Sequence, residues 1–197
     1  VSSYKENTYL VVEAFDEQDR LVERTWKDPR TDYIHRVGGP ALQKFDPETS
    51  QLEREVWIDR FNHGKHRDGN LPSDISIDPQ TGVVILEEYY RNGRLHRDDD
   101  GPAEIYRNSE TGQITGLIFR HEGDRHRDGD LPAEQDFDPA TGALVREEYF
   151  RSGVRHRDNG PAIIEYDTSG QPIPTSLEYY RDGLKVKPGY MLSPTEP

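Results

Sequence analysis

The sequence predicts an all-β fold, an elongated and curved antiparallel sheet built from about six tandem β-hairpin repeats. Three observations predict it. A His-Arg pair returns about every 30 residues, as His35-Arg36, His66-Arg67, His96-Arg97, His126-Arg127 and His156-Arg157. A fixed period of this size marks an array of supersecondary units that lean on their neighbours. Two kinds of turn signal alternate within each period. Finally, no apolar period of 3.6 survives ten residues, so nothing reads as a long helix.

The first 37 residues read as an atypical N-terminal capping unit, residues 38–183 as the repeat array, and residues 184–197 as a C-terminal cap and tail. A turn at Asp16-Glu17-Gln18-Asp19-Arg20 opens the series. It returns as Asp46-Pro47-Glu48-Thr49-Ser50, Asp78-Pro79-Gln80-Thr81-Gly82 and Asp138-Pro139-Ala140-Thr141-Gly142. Asn108 to Gly112 and Asp167 to Gly170 are decayed copies. Proline presets φ at the start of such a turn and glycine supplies positive φ at its end. Ser73 to Ile77 alternates as a strand should, and Val83 to Tyr90 is rich in β-branched and aromatic residues. The aromatic strand returns at Tyr149-Phe150 and Tyr179-Tyr180. Asn92-Gly93 is a strong hairpin signal, echoed by Glu122-Gly123, Ser152-Gly153 and Asp182-Gly183. Arg94 to Arg97 then forms the return strand. In the last copy Val186-Lys187 replaces His-Arg, as a terminal unit requires.

Hydrophobic residues make up 31% of the 197 residues and charged residues 32%, which predicts a thin core with much surface. The formal net charge of −13 repels phosphate backbones and anionic lipid, and favours a basic partner. Cysteine is absent, which suits a reducing cytoplasm and removes disulfides and thiolate metal sites. No apolar run is long enough for a membrane-spanning helix.

The segment YYRNGRLHRDDDGPA resembles the MORN-type repeat in its longer bacterial and viral variant form. The resemblance covers roughly residues 30 to 185. This chain departs from the usual unit by inserting the DPxTG hairpin and by carrying His-Arg where His-Gly is common. The resemblance implies an elongated antiparallel sheet acting as a scaffold or interaction module, some bacterial members being antitoxin-like. It implies binding, not chemistry.

Equivalent histidines, two strands apart, stand about 10 Å from one another, too far to share one zinc. The expectation is no metal and no cofactor. The Asp98 to Gly101 and Asp128 to Asp130 clusters lack the twelve-residue calcium loop. No GxSxG, HExxH, P-loop or GxGxxG motif is present. Glu87-Glu88 and Glu147-Glu148 lie on strands, so each pair splits across two faces and cannot act together as acid and base. The sequence therefore predicts a non-enzyme. The ten His-Arg residues are expected to form a structural ladder, each arginine pairing with carboxylates of an adjacent strand and each histidine bonding a backbone carbonyl. Trp57, Tyr89, Tyr90, Phe119, Tyr149, Phe150, Tyr179 and Tyr180 are expected to supply core stripes and, on the open face, partner-binding anchors. The function expected is capture of a basic protein by an acidic inhibitor or immunity-type module, without direct nucleic-acid or membrane binding. The alternatives are a scaffold that self-assembles through sheet edges, an acidic mimic of nucleic acid, and a carbohydrate-binding surface.

Overall fold

The computed structural model describes residues 8–61 and 63–188. The outer parts of the two caps, residues 1–7 and 189–197, lie outside the described residues.

The first three DPxTG-type hairpins pair β1 (Leu10–Phe15) with β2 (Leu21–Lys27), β3 (Leu42–Phe45) with β4 (Leu52–Val56), and β5 (Asp74–Ile77) with β6 (Val84–Glu88). A short hairpin, β7 (Tyr90–Arg91) with β8 (Arg94–Leu95), closes that third unit. The fourth unit has β9 (Glu104–Arg107), β10 (Ile114–Ile118), β11 (Arg120–His121) and β12 (Asp124–Arg125). The fifth has β13 (Glu134–Phe137), β14 (Leu144–Glu148), β15 (Phe150–Arg151) and β16 (Val154–Arg155). The last has β17 (Ile163–Glu165), a 3-10 turn at Pro174–Ser176, and the hairpin of β18 (Tyr179–Arg181) with β19 (Leu184–Val186).

Eleven strands make one antiparallel sheet in the order β1-β2-β3-β4-β5-β6-β9-β10-β13-β14-β17. At about 4.8 Å per strand it spans roughly 50 Å. The short hairpins form separate two-stranded sheets along one side of it. The stretch Val83 to Tyr90 reads as one strand in the sequence but changes partner at Tyr89. The Tyr89 N–H donates to Ala103 of the next unit at 2.8 Å, while its carbonyl accepts the His96 N–H at 2.9 Å. Trp26, Trp57, Phe119 and Tyr149 do the same with Ala41 and His35, Ser73 and His66, Ala133 and His126, and Ala162 and His156. One aromatic residue per unit thus joins the sheet to the short hairpin.

Residues facing these junctions are small. Ala41, Ser73, Ala103, Ala133 and Ala162 have no exposed surface. Ala133 packs against Phe119 and Phe150, and Ala162 lies with Tyr149 and Ile164. The core is therefore a string of small clusters, one per unit, in keeping with the low apolar content.

The short hairpins stack through their turns. The amides of Gly93, Gly123, Gly153 and Gly183 donate to Lys65, Leu95, Arg125 and Arg155 of the preceding unit at 2.8 to 3.1 Å. Both central turn residues have positive φ, for example +46° at Ser152 and +80° at Gly153, as a type I′ turn requires. Serine is a poor choice there. Ser152→Asn is expected to stabilise the chain by about 0.5–1 kcal/mol, read as a higher urea midpoint.

The two sheet edges differ. The β17 edge is covered by bridges from Ile163 to Glu178 and from Tyr166 to Pro172. All six residues of β1 are exposed, and no described strand lies beyond it. No helix among the described residues is long and apolar enough to cross a membrane.

Candidate functional site

The ladder forms, with different partners from those expected. The guanidinium of each repeated arginine lies over the junction aromatic of its own unit. Arg36 covers Trp26, Arg67 covers Trp57, Arg97 covers Tyr89, Arg127 covers Phe119 and Arg157 covers Tyr149, at 3.7 to 4.2 Å from the ring centres. Arg67, Arg97, Arg127 and Arg157 also donate to the carbonyls of Pro72, Pro102, Pro132 and Pro161. Cation–π attraction and a proline carbonyl take the place of the anticipated strand glutamates, and carboxylate pairing survives only with loop aspartates, Arg97 with Asp99 and Arg157 with Asp130. The histidines differ too. Nδ1 of His96, His126 and His156 accepts the amide of Glu122, Ser152 and Asp182 in the next unit at 3.0 to 3.2 Å. At His96 and His126 Nε2 therefore carries the proton and donates to Asp98 and Asp128, while the His156 ring sits between two carboxylates, Nε2 at 2.8 Å from Asp158 and Nδ1 at 2.8 Å from Asp182. His96, His126 and His156 thus latch each unit to the next. Among the described residues no group of three His, Cys, Asp or Glu is placed to hold a metal ion.

The aromatic set divides. Tyr89, Phe119, Tyr149 and Phe150 are buried, so they hold the core and offer no open platform. Trp57, Tyr90, Tyr179 and Tyr180 are half-buried. Tyr90 is engaged by Lys65, whose Nζ sits 4.4 Å from the ring centre, and the Tyr180 hydroxyl donates to Glu178 at 2.9 Å.

One face of the sheet carries a row of carboxylates. Asp74 lies opposite Glu88, Glu88 opposite Glu104, and Glu134 opposite Glu148. Like charges opposite one another repel, so the row needs inserted cations. Arg54 binds Asp74 with two bonds of 2.9 and 2.7 Å, and Lys65 reaches it at 2.5 Å. Arg120 pairs with Glu104. Arg125 meets Glu134 at 3.2 Å, and Arg146 and Arg155 hold Glu148 at 2.5 and 2.6 Å. Tyrosines two residues along the strand share the face of their glutamate and donate to it, as Tyr90 does to Glu88 and Tyr106 to Glu104. Burial and Glu104 push the Tyr106 hydroxyl up to about 12, so it remains a donor. On the opposite face Arg107 pairs with Glu87 at 2.7 Å, and Tyr149 and Tyr166 donate to Glu147. The paired glutamates are thus engaged one on each face, by cations at Glu87, Glu88 and Glu148 and by tyrosine hydroxyls at Glu147.

This row sets the pH dependence of stability. Burial alone would raise the Asp74 carboxyl, but Arg54 and Lys65 outweigh it and hold the group below the usual range. Burial pushes Glu88 up despite Lys65, with Asp74 and Glu104 adding to the rise. Burial also raises Glu134, against Arg125. A depressed carboxyl contributes stability that is present above its unfolded pKa, near 3.9, and is lost below it. A raised one does the reverse, penalising the fold at neutral pH and relieving that penalty as pH falls through the folded value. The urea midpoint is expected to rise from pH 7 to about pH 5 and to fall steeply below about pH 4. In Glu88→Gln/Glu134→Gln the rise should flatten; a rise of the same size in that variant would contradict the assignment.

The unbalanced charge lies along the DPxTG turns. Asp78 Oδ1 accepts the amides of Gln80 and Thr81, both at 2.9 Å, and Asp138 Oδ1 accepts Ala140 and Thr141. Asp16, Asp46 and Asp167 close their turns in the same way. These bonds hold all five carboxyls below the usual range, led by the Thr or Ser hydroxyl at Asp46, Asp138 and Asp167 and by a backbone amide at Asp16 and Asp78. Successive turns repeat every second strand, about 10 Å apart. Glu17, Asp19, Glu48 and Glu110 are exposed on the same turns, and Arg20, bound to Asp16 and Glu48, is the one cation within them. Sequence reading identified these aspartates as turn formers and missed them as a charged row; their strict position in each unit was the available signal.

No family model, no curated protein and no solved structure matches this chain. The functional reading therefore rests on the geometry.

Proposed function

We propose that the chain is a non-enzymatic protein-binding module, of inhibitor or immunity type, which captures a basic protein in the cytoplasm. The observation that carries this reading is the row of ionised turn aspartates, one on every second strand except at the fourth turn, where Asn108 stands in the aspartate position and Glu110 supplies the charge, along turns whose one cation is Arg20. The −13 net charge steers a basic partner towards it. A rigid comb at about 10 Å suits a basic segment in polyproline II conformation, where every third side chain lies on one side and advances about 9 Å. The MORN-type resemblance points the same way. Titration with deca-lysine and deca-glutamate at low and high salt tests the reading. Saturable, salt-sensitive binding of deca-lysine alone is expected; binding to neither peptide, or to both alike, would refute it.

Self-assembly is a second reading, favoured by the open β1 edge with its exposed Leu10, Val11, Val12 and Phe15. Sedimentation equilibrium over a range of protein concentrations separates the two, since a concentration-independent monomer removes assembly.

A further inference from the structure

We propose that the groove between the first and second units binds a small aromatic anion, a carboxylate or phosphate head on a flat apolar ring. This site lies apart from the acidic turns and does not depend on them. Its walls include Arg36, Arg60, Arg67, Trp57 and Phe61, around a volume of about 550 Å³; of the two carboxylates on the lining, Asp59 and Asp68, the latter is held by His66 at 3.1 Å. The corresponding grooves further along enclose about 150 and 260 Å³. Small-ligand sites fall at about 300–1,000 Å³.

The sequence explains the difference in width. Leu71 and Leu131 line the smaller grooves, where the connecting loops read HRDGNLPS and HRDGDLPA. The first loop reads HRVGGPA and has Gly38 and Gly39 on the groove wall. The first two units also have Trp at the junction and a longer turn before His-Arg, which brings in Arg60 and Phe61.

Charge selects the ligand. Arg97 pairs with Asp99, Arg157 with Asp130, and Arg91 and Arg151 with the loop aspartates Asp98 and Asp158. Among the described residues Arg36, Arg60 and Arg67 form no ion pair, although the protein as a whole is strongly acidic. Arg36 and Arg67 are fixed by stacking on Trp26 and Trp57, which leaves guanidinium edges open to an anion. Burial holds His35 below the usual imidazole range, with Arg60 adding to this and Asp28 and Asp59 opposing it, so Arg60 lies close enough to the groove to act on a charge within it. Phe61, 80% exposed, and Val37 supply an apolar rim for a ring.

Isothermal titration with phenyl phosphate, benzoate and benzyl alcohol tests the assignment. One-to-one binding of an anion and none of the alcohol is expected, and the tighter anion names the head group. Arg60 is exposed and outside the core, so Arg60→Gln should fold normally while weakening binding about tenfold or more, the effect of losing one charge-assisted contact. Arg94→Gln removes the same charge from an exposed position in β8 and should leave the affinity unaltered. No saturable binding of either anion, or equal losses in the two variants, would overturn the proposal.

Discussion

Ala133→Leu is expected to lower the stability of the chain by about 3 kcal/mol, at the upper end of the cost of overpacking a filled core site. Ala133 has 0% exposed surface and touches Phe119 and Phe150. Its amide and carbonyl are tied to Glu148 and Phe119 at 2.9 and 2.7 Å, so the backbone cannot retreat. Extra carbons at this position push apart the junction between two units. Ala133→Ser is the control. Serine occupies the same position as Ser73 in the third unit, where its Oγ accepts the Tyr90 amide at 3.2 Å. A change within about 1 kcal/mol is expected for that variant. Urea unfolding measures both, and a tolerated leucine would show that the small-residue junction is not close-packed.

Asp74→Ala is expected to cost about 2–3 kcal/mol, below the full penalty for breaking a buried pair. Asp74 is 1% exposed, but its partners Arg54 and Lys65 are 38% and 29% exposed, so water relieves the orphaned cations. The carboxylate is not needed for the fold as such. Leu42 and Ile163 stand in the same cross-strand row in the second and last units. Asp74→Leu/Lys65→Met is therefore expected to recover much of the loss, since apolar packing substitutes well for a buried ion pair. A single Asp74→Ala variant as stable as the parent would contradict the role given to this row.

The hairpins were legible because their turns are written locally. Positive φ at Asn92 and Gly93, or at Gly82, follows from residue type with no knowledge of neighbours. The array was legible from the period of the His-Arg pairs. Partner choice was not. Whether Tyr89 continues one strand or joins two sheets depends on Ala103 and His96, each from a different turn of the chain. The Arg-on-aromatic stacks were missed because the acidic partners expected for Arg97 or Arg127 are already claimed by arginines and lysines elsewhere. Arg107 takes Glu87, Lys65 approaches Glu88, and Arg146 and Arg155 take Glu148. The aromatic anchors were misplaced for a related reason. Alternation assigns side chains to faces but not to depth, and the short hairpins cover Tyr89, Phe119 and Tyr149 with their own arginines.

Asn108 supplies the means of testing the acidic edge. It closes the fourth turn with the same bonds to Glu110 and Thr111, at 2.9 Å each, that an aspartate makes elsewhere. Asparagine therefore removes charge from these turns and keeps their shape. The decisive measurement is the salt-dependent affinity for deca-lysine of the parent and of the Asp46→Asn/Asp78→Asn/Asp138→Asn variant. Affinity at low salt should drop by at least about tenfold in the variant, and the dependence on salt should become shallower, with the urea midpoint little changed. An undiminished affinity with an unaltered salt slope would place binding elsewhere and contradict the account.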